Sequence, residues 1–301
     1  MPLLARQGIL VCGTGRAARS LVGALSACGP IVGVASRDPI RGRAFAAWAG
    51  VPYATDGAAL PAADTVAVLV EDGAIGARAE AIAARAAPGA LWLHMAGSLG
   101  SATLAGATAR AAGTPLAFHP LAVLDGEPRD LRGVVVGLEG DAAAVAAGEA
   151  MATALGATPV VIAAAHRVAY HLAATMASGH LIGLLAAATR VADGADLPPE
   201  VAQGLLALAA EALAATRARG ARAAFTGALA RGDRTTVERH LSLLDGGEDA
   251  VRRAYDAAGL AALTYAAPAG DDRDGARREI GRLLADDLAR RTDDDFKGAR
   301  R

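Results

Sequence analysis

The stretch Gly13–Ala18 constrains the fold of this chain more than any other feature. It reads Gly-Thr-Gly-Arg-Ala-Ala and lies between an apolar segment, Ile9–Cys12, and an Ala- and Leu-rich stretch. A G-x-G-x-x-A pattern between a strand and a helix is typical of the first βα turn of a dinucleotide-binding sheet. There Gly13 permits the tight turn, Gly15 lets the backbone approach a pyrophosphate, and Ala18 allows close helix–strand packing. The pyrophosphate is expected at the helix N-terminus, where free N–H groups attract an anion. The predicted cofactor-binding residues of this turn are Gly13, Thr14, Gly15, Arg16 and Ala18.

The end of the second predicted strand indicates which dinucleotide binds. Proteins that bind NAD usually place an acidic residue there to hold the ribose 2′-hydroxyl. This strand instead ends in Ser36-Arg37, with Arg41 and Arg43 close behind. A hydroxyl and a guanidinium suit a 2′-phosphate, because arginine binds phosphate through forked, charge-assisted hydrogen bonds. The sequence therefore predicts NADP, with Ser36 and Arg37 as ligands, while Asp38 keeps NAD open as the less favoured cofactor.

The first half of the chain alternates short apolar segments with Ala-rich helical stretches, and the second half is helical throughout. The seven predicted strands are 8–13, 31–36, 65–70, 91–96, 115–119, 133–138 and 159–162. This alternation predicts an α/β fold, with a Rossmann-type doubly wound parallel sheet covered on both faces and an all-helical domain after it. The predicted domains are an NADP-binding domain over 1–163, a helical dimerisation and substrate domain over 164–290, and a disordered tail over 291–301.

Composition excludes several classes of partner. The formal net charge is −1 and aromatic residues make up 3%, so neither a nucleic acid nor an anionic membrane surface is expected to bind. Cys12 and Cys28 lie in or near apolar segments and are expected to be small buried residues. No cluster has metal-ligand spacing, and the N-terminus lacks the pattern of a signal peptide. We therefore expect a cytoplasmic protein without a metal.

One apolar segment, 168–192, resembles a membrane span in length. It carries His171, His180 and Arg190 and is rich in Ala and Gly. Such a segment is better explained as a central helix that other helices surround. We therefore expect it to lie at the interface of a homodimer.

Three stretches of the sequence, together with two dipeptides, carry a family resemblance. The stretches are His94-Met95-Ala96-Gly97-Ser98, Phe118-His119-Pro120-Leu121 and Thr226–Asp233, and the dipeptides are Tyr170-His171 and His240-Leu241. With these, the chain resembles Rossmann-like proteins whose C-terminal domain is a domain of unknown function, number 2520. That family is similar in architecture to ketopantoate reductase, pyrroline-5-carboxylate reductase and the β-hydroxyacid dehydrogenases, whose C-terminal domains are of the 6-phosphogluconate dehydrogenase type. The resemblance implies an NADP-binding domain and a helical dimerisation domain, but no particular substrate.

Polar residues follow two neighbouring predicted strands. His94 and Ser98 come after the fourth strand, and His119 ends the fifth. Because ligands of doubly wound sheets bind beyond the carboxyl ends of the strands, all three are expected to line the site. We predict His94 as a cofactor ligand, Ser98 as a substrate ligand and His119 as a catalytic residue. The alternative for each histidine is a hydrogen-bonded structural role.

The first long helix of the second half carries a polar strip. His171, Thr175, Ser178 and Ile182 fall on one face at helical spacing. The resemblance to β-hydroxyacid dehydrogenases places His171 and Thr175 where those enzymes have a catalytic lysine and an asparagine. Histidine can donate a proton to a developing alkoxide or amine near neutral pH, so His171 is the leading proton donor and Ser178 a substrate ligand. The alternative for His171 is a structural histidine at a helix interface.

The segment Thr226–Asp233 offers groups for a carboxylate. The Thr226 hydroxyl and the Arg231 guanidinium are predicted substrate ligands, since arginine binds carboxylates through two parallel hydrogen bonds. Asp233 is expected to cap the helix that follows it, and an ion pair between Arg231 and Asp233 is the alternative for the arginine.

These features lead to two functional hypotheses. The first is an NADPH-dependent reductase of a small carboxylate, either a 2-keto acid or a cyclic imine. The second is a non-catalytic dinucleotide-binding regulator or scaffold. The second is kept because Lys297 is the only lysine in the chain and Thr175 stands where the related enzymes have an amide.

Overall fold

The structure is a computed structural model that describes residues 8–54, 60–265, 267, 270 and 273–298, with side chains of the last helix only as far as Arg291. Its contacts divide the chain into a first unit, 1–178, and a second unit, 179–301. The division lies beyond the predicted boundary at 163, because the first helical turns after the last strand pack on the sheet through residues such as Arg167 and Tyr170.

The first unit is an α/β sandwich around one sheet of eight strands in the order β3-β2-β1-β4-β5-β6-β7-β8. This is the predicted Rossmann-type sheet, in which strand order reverses beside β1. The strands are β1 (Ile9–Cys12), β2 (Ile31–Ala35), β3 (Tyr53–Ala54), β4 (Thr65–Val68), β5 (Leu91–His94), β6 (Thr114–Pro120), β7 (Val135–Gly140) and β8 (Thr158–Val161). The helices are α1 (Arg16–Leu25), α2 (Pro39–Ala49), α3 (Ile75–Ala83), α4 (Ala105–Arg110), α5 (Ala142–Ala154) and α6 (Arg167–Thr175).

The sheet is buried on both faces, as its continuous apolar strands predict. Ile9 and Val11 of β1 belong to one core cluster, whereas Leu10 and Cys12 belong to another. Since successive side chains of a strand point to opposite faces, the two clusters lie on opposite sides of the sheet. Cys12 and Cys28 are both buried, and neither forms a disulfide.

The last part of the sheet departs from the predicted parallel order. β7 runs antiparallel to β6, with His119 opposite Gly137, and β8 is parallel to β7. The chain between β6 and β7 contains no helix in the described residues 121–134, so it turns back instead of crossing over. A buried antiparallel strand has the same continuous apolar sequence as a parallel one, so the pattern did not reveal the reversal.

The second unit contains helices and no strand among its described residues, as predicted. Its helices are α7 (Leu181–Gly194), α8 (Glu200–Arg219), α9 (Ala221–Ala224), α10 (Gly227–Arg231), α11 (Arg234–Leu243), α12 (Asp249–Tyr265) and α13 (Asp274–Gly298). Val237 and Leu241 of α11 pack with Ile280 and Leu284 of α13 in a small core. α13 continues to Gly298, through most of the tail predicted to be disordered, and Arg291 in this stretch pairs with Asp249 at 3.0 Å. Residues 299–301 of that tail lie outside the described residues.

A π-helical turn, Met176–His180, separates α6 from α7. A π turn adds a residue to the helical repeat, so the single face predicted for His171, Thr175, Ser178 and Ile182 does not continue beyond α6. The most apolar 18-residue window of the helical stretch Ala164–Gly194 has a mean hydropathy of 1.5, and by length and composition alone the stretch could cross a membrane. None of its most apolar window is buried, so this stretch offers an uncovered apolar surface.

Candidate active site

The turn after β1 has the geometry that a pyrophosphate requires. Gly13 has a φ of +124°, and a Cβ there would lie 2.1 Å from the carbonyl oxygen of Leu69, so only glycine fits. A Cβ on Gly15 would meet no described atom within 4 Å, which leaves its backbone open to a ligand. No described side chain caps the N-terminus of α1, and its first turn has no acidic residue. The free N–H groups of α1 therefore remain available for an anion, and fully buried Ala18 lets the helix pack closely on the sheet.

The side chain of Asp38, the acidic residue that follows the end of β2, is already engaged in hydrogen bonds to the backbone. Its Oδ1 accepts the N–H groups of Ile40 at 2.9 Å and Arg41 at 3.1 Å, which caps α2. Ser36 is buried, and its hydroxyl oxygen accepts the N–H of Asp38 at 3.3 Å. The Arg37 side chain is exposed. The end of β2 therefore presents an exposed guanidinium beside a carboxylate that acts as a helix cap.

His94 at the end of β5 faces inward. It has no exposed surface; its Nδ1 accepts the N–H of Ala96 at 3.2 Å, and its Nε2 lies 3.0 Å from the Gly100 carbonyl oxygen. Burial lowers the pKa of His94, so the ring is neutral, with its proton on Nε2. That His94 contacts the cofactor stays a prediction, and the structure shows both ring nitrogens holding the loop 95–100. Its contribution to the site is to shape that loop.

The same loop is fixed at its far end by Glu139 of β7. The Glu139 carboxylate accepts both the backbone N–H and the hydroxyl of Ser101. A Cβ on Gly100 would lie 2.8 Å from Glu139 Oε2, so the close approach depends on glycine. Ser98, predicted to bind substrate, lies half-buried between these two anchors.

His119 and His171 come together beside this loop. Their ring centroids are 5.7 Å apart in an edge-to-face arrangement. A Cβ on Gly97 would lie 2.1 Å from His171 Nδ1 and 2.9 Å from His119 Nε2, so both nitrogens converge on the space that this glycine leaves. His171 Nδ1 is buried and has no hydrogen-bond partner among the described residues. The structure thus places His171 of α6 at the carboxyl ends of β5 and β6.

Tyr170 orients His119. Its hydroxyl lies 2.9 Å from His119 Nδ1 and 3.2 Å from the His119 carbonyl oxygen. A Cβ on Gly137 would lie 2.7 Å from the same hydroxyl, so a glycine in β7 makes room for it. When the tyrosine donates to the carbonyl, His119 donates from Nδ1, and its Nε2 lone pair then points to the space at Gly97. Burial, followed by the nearby Arg167 and His171, lowers the pKa of His119 to about 4, so this ring is neutral at physiological pH.

Sequence reasoning missed Arg167, the first residue of α6. Its side chain is 1% exposed, and Nη2 donates to the Ala96 carbonyl oxygen at 2.8 Å. The guanidinium carbon lies 5.6 Å from the ring centroid of Tyr170. Its spacing from His171 could have indicated it, because the two residues are four apart and so share a helical face.

The remaining predicted residues are distributed over both units. Thr175 is half-buried in α6, and the Ser178 hydroxyl donates to the Ala174 carbonyl oxygen at 2.8 Å. Thr226 and Arg231 belong to the second unit, and both are exposed. Asp233 caps α11 as predicted, since its carboxylate accepts the N–H and hydroxyl of Thr236. Among the described residues, no group of three or more His, Cys, Asp and Glu side chains is arranged to hold a metal ion.

Comparison with known families finds one match. Residues 134–262 match the sequence model of the family described as "Domain of unknown function (DUF2520)". This is the family that the motifs resemble, and the match covers β7 through most of α12. A search of curated proteins found no match.

Solved structures share the fold over most of this chain. A protein of Bacteroides fragilis described as a candidate NADP oxidoreductase has a TM-score of 0.72 at 24% identity, covering 85% of this chain and 98% of its own. A protein of Thermotoga maritima has a TM-score of 0.69 at 24% identity, covering 83% and 96%. An imine reductase of Myxococcus stipitatus in complex with NADP+ has a TM-score of 0.58 at 20% identity, covering 79% and 87%. These similarities establish the Rossmann-like fold with a helical C-terminal region.

Proposed function

We propose that this chain is an NADPH-dependent reductase of a small carboxylate substrate, a 2-keto acid or a cyclic imine. The observation that carries the proposal is the position of two features on one sheet edge. The open glycine turn follows β1, and the His119–Tyr170–His171 cluster lies at the ends of β5 and β6. One strand, β4, separates β1 from β5, so these ends are about 10 Å apart at the usual strand spacing. A dinucleotide bound at the turn is long enough to reach the cluster. The likeness to a candidate NADP oxidoreductase and to an imine reductase supports the assignment.

The chain's own groups divide the work around the reacting carbon. A bound nicotinamide would supply the hydride that the carbonyl or imine carbon receives. We assign His171 as the group that gives a proton to the oxygen or nitrogen of the same bond, since its Nδ1 is not otherwise engaged. His119 stays neutral and, held by Tyr170, offers its Nε2 to the same space. Of these two nitrogens, His171 Nδ1 is buried away from water. Thr175, Ser98 and Ser178 are proposed to complete the site.

A screen of substrates tests this function. We expect NADPH absorbance to fall when the protein is mixed with members of a panel of 2-keto acids and cyclic imines. Neutral ketones without a carboxylate serve as the matched controls. NADPH binding without oxidation by any member of the panel would contradict the reductase and favour the regulator or scaffold.

We further propose that NADP is preferred over NAD through Arg37. The Arg37→Ala variant is expected to bind NADP on the order of tenfold more weakly, because a charge-assisted hydrogen bond to the 2′-phosphate is lost. Its affinity for NAD should stay within about twofold, since NAD lacks this phosphate. Titration of both cofactors against the wild type, the variant and an Arg110→Ala control measures the effect. Tighter binding of NAD than NADP by the wild type would refute the preference.

We propose that a second copy of the chain covers the apolar surface of the stretch Ala164–Gly194. Val168, Leu172, Met176 and Ile182 are between 55% and 69% exposed, an unusual concentration of large apolar side chains. Symmetric homodimers are the commonest soluble assemblies, and a second copy would bury this stretch without a membrane. A cytoplasmic homodimer is therefore the proposed state.

Introducing a charge on this surface tests the dimer. The Leu172→Glu variant is expected to dissociate, since each dimer interface would bury two unpaired carboxylates. Light scattering at low micromolar concentration should show a dimer for the wild type and for the control Ile40→Glu, whose exposed side chain lies on α2. A wild type that is monomeric under these conditions would exclude the proposal.

A further inference from the structure

Unused hydrogen-bonding groups are concentrated at the start of α6. The Nε and Nη1 atoms of Arg167 and the Nδ1 atom of His171 are buried, and none has a partner among the described residues. The two side chains contact adjacent residues of one loop, because Arg167 Nη2 donates to Ala96 and His171 packs on Gly97. Leaving buried polar groups unpaired is costly, and the cost is larger for a buried charge. A ligand that fills these hydrogen bonds would remove that cost.

No protein carboxylate neutralises Arg167. Among the described residues no acidic side chain forms an ion pair with it. Burial lowers the pKa of Arg167, and Tyr170 and the Glu139 carboxylate, which Ser101 engages, offset this only in part. Buried Arg252 differs in this respect, because its Nε lies 2.7 Å from Asp287 Oδ2. Arg167 is therefore a buried guanidinium that no carboxylate of the described residues pairs with.

We infer that Arg167 binds the carboxylate of the substrate, and that the reacting carbon is the one directly attached to this carboxylate. Nη2 uses one of its two hydrogens on Ala96, so the second forms a two-bond fork with either Nε or Nη1. Such a fork matches the two oxygens of a carboxylate. His171 lies one helical turn further along the same face, so it can reach the atom next to that carboxylate.

This inference rests on the proposed reductase and narrows its substrate class. A 2-keto acid, or an imine whose carbon carries a carboxylate, has its oxygen or nitrogen two bonds from the carboxylate carbon. Arg167 would hold the acid while His171 protonates the neighbouring heteroatom. Because the guanidinium has almost no exposed surface, binding requires the groups that cover its Nε and Nη1 atoms to move away, while Nη2 keeps its hydrogen bond to Ala96.

Binding of a non-reducible analogue tests the assignment without turnover. Oxamate carries a carboxylate next to an amide carbonyl, and ethyl oxamate lacks the charge. We expect oxamate, measured by calorimetry on the NADP+-saturated protein, to bind the wild type and the Arg110→Met control equally, and ethyl oxamate to bind neither. The Arg167→Met variant should bind oxamate at least about tenfold more weakly while its NADP+ affinity stays within about twofold. Arg167→Lys should retain an intermediate affinity, since it keeps the charge but loses the fork.

Several outcomes would overturn the assignment. They are unchanged oxamate affinity in Arg167→Met, loss of affinity in Arg231→Met instead, no oxamate binding to the wild type, or equal competition by inorganic phosphate. Circular dichroism checks the fold of each variant. If Arg167→Met does not fold, the oxamate affinities of Arg167→Lys and Arg167→Gln take its place in the comparison. Oxamate binding that depends on Arg167 without any NADPH oxidation would contradict the reductase alone. Oxidation of keto acids that is insensitive to Arg167 would contradict this inference alone.

Discussion

The His171→Gln variant is expected to turn over about 10²–10⁴-fold more slowly than the wild type, with NADP affinity nearly unchanged. The glutamine amide has nearly the size of the imidazole ring, but it cannot transfer a proton at a useful rate. His119 cannot replace it, since its pKa of about 4 leaves it neutral at the pH of the assay. Single-turnover and steady-state rates, compared per folded molecule, measure the effect.

A control separates catalysis from packing. His180 lies on the same helical stretch and is exposed, so His180→Gln should keep the wild-type rate. A structural His171 would give the opposite result, a variant with a lower melting temperature and an unchanged rate per folded molecule.

The Gly97→Ala variant is expected to lose activity by about 10²-fold or more. Its new methyl group would stand 2.1 Å from His171 Nδ1 and 2.9 Å from His119 Nε2, which forces at least one ring to move. A shift of about 1 Å in a catalytic group is enough for a loss of this size. Rates should therefore fall while NADP binding at the β1 turn stays intact.

The matched control for this change is Gly73→Ala. A Cβ on Gly73 meets no described atom within 4 Å, and neither glycine has a positive φ, so only the local contacts differ. Wild-type activity of Gly97→Ala, with a melting temperature equal to that of Gly73→Ala, would show that the two histidines do not act together at this point.

Much of the fold could be predicted because its signals are local. The glycine pattern Gly13–Ala18 needs a strand before it and a helix after it, and the alternation of apolar segments supplies both. The reversal of β7 was not predictable in this way, since direction is not encoded in the apolar run of a buried strand. The π turn Met176–His180 also escaped, because its extra residue leaves composition and hydropathy unchanged.

The site was predicted in part for a similar reason. His119 and His171 were placed together because strand ends and helix starts meet at the sheet edge. The helix α6 follows β8, and β8 runs antiparallel to β6, so strand direction alone would not bring α6 to the carboxyl end of β6. α6 reaches the edge through its contacts with Gly97, His119 and Gly137. Arg167 was missed, because a charged residue at a helix start usually faces water and only the packing reveals its burial.

The cap formed by Asp38 has a consequence for attempts to exchange the cofactor. The chain already contains an acid close to where NAD-binding proteins place one, yet this acid closes the first turn of α2. Removing it would unwind that turn at a cost of about 1 kcal/mol. Adding a second acid at Ser36 would set two negative charges beside each other at the strand end. A redesign that recruits Asp38 to hold a ribose hydroxyl must therefore also rebuild the start of α2.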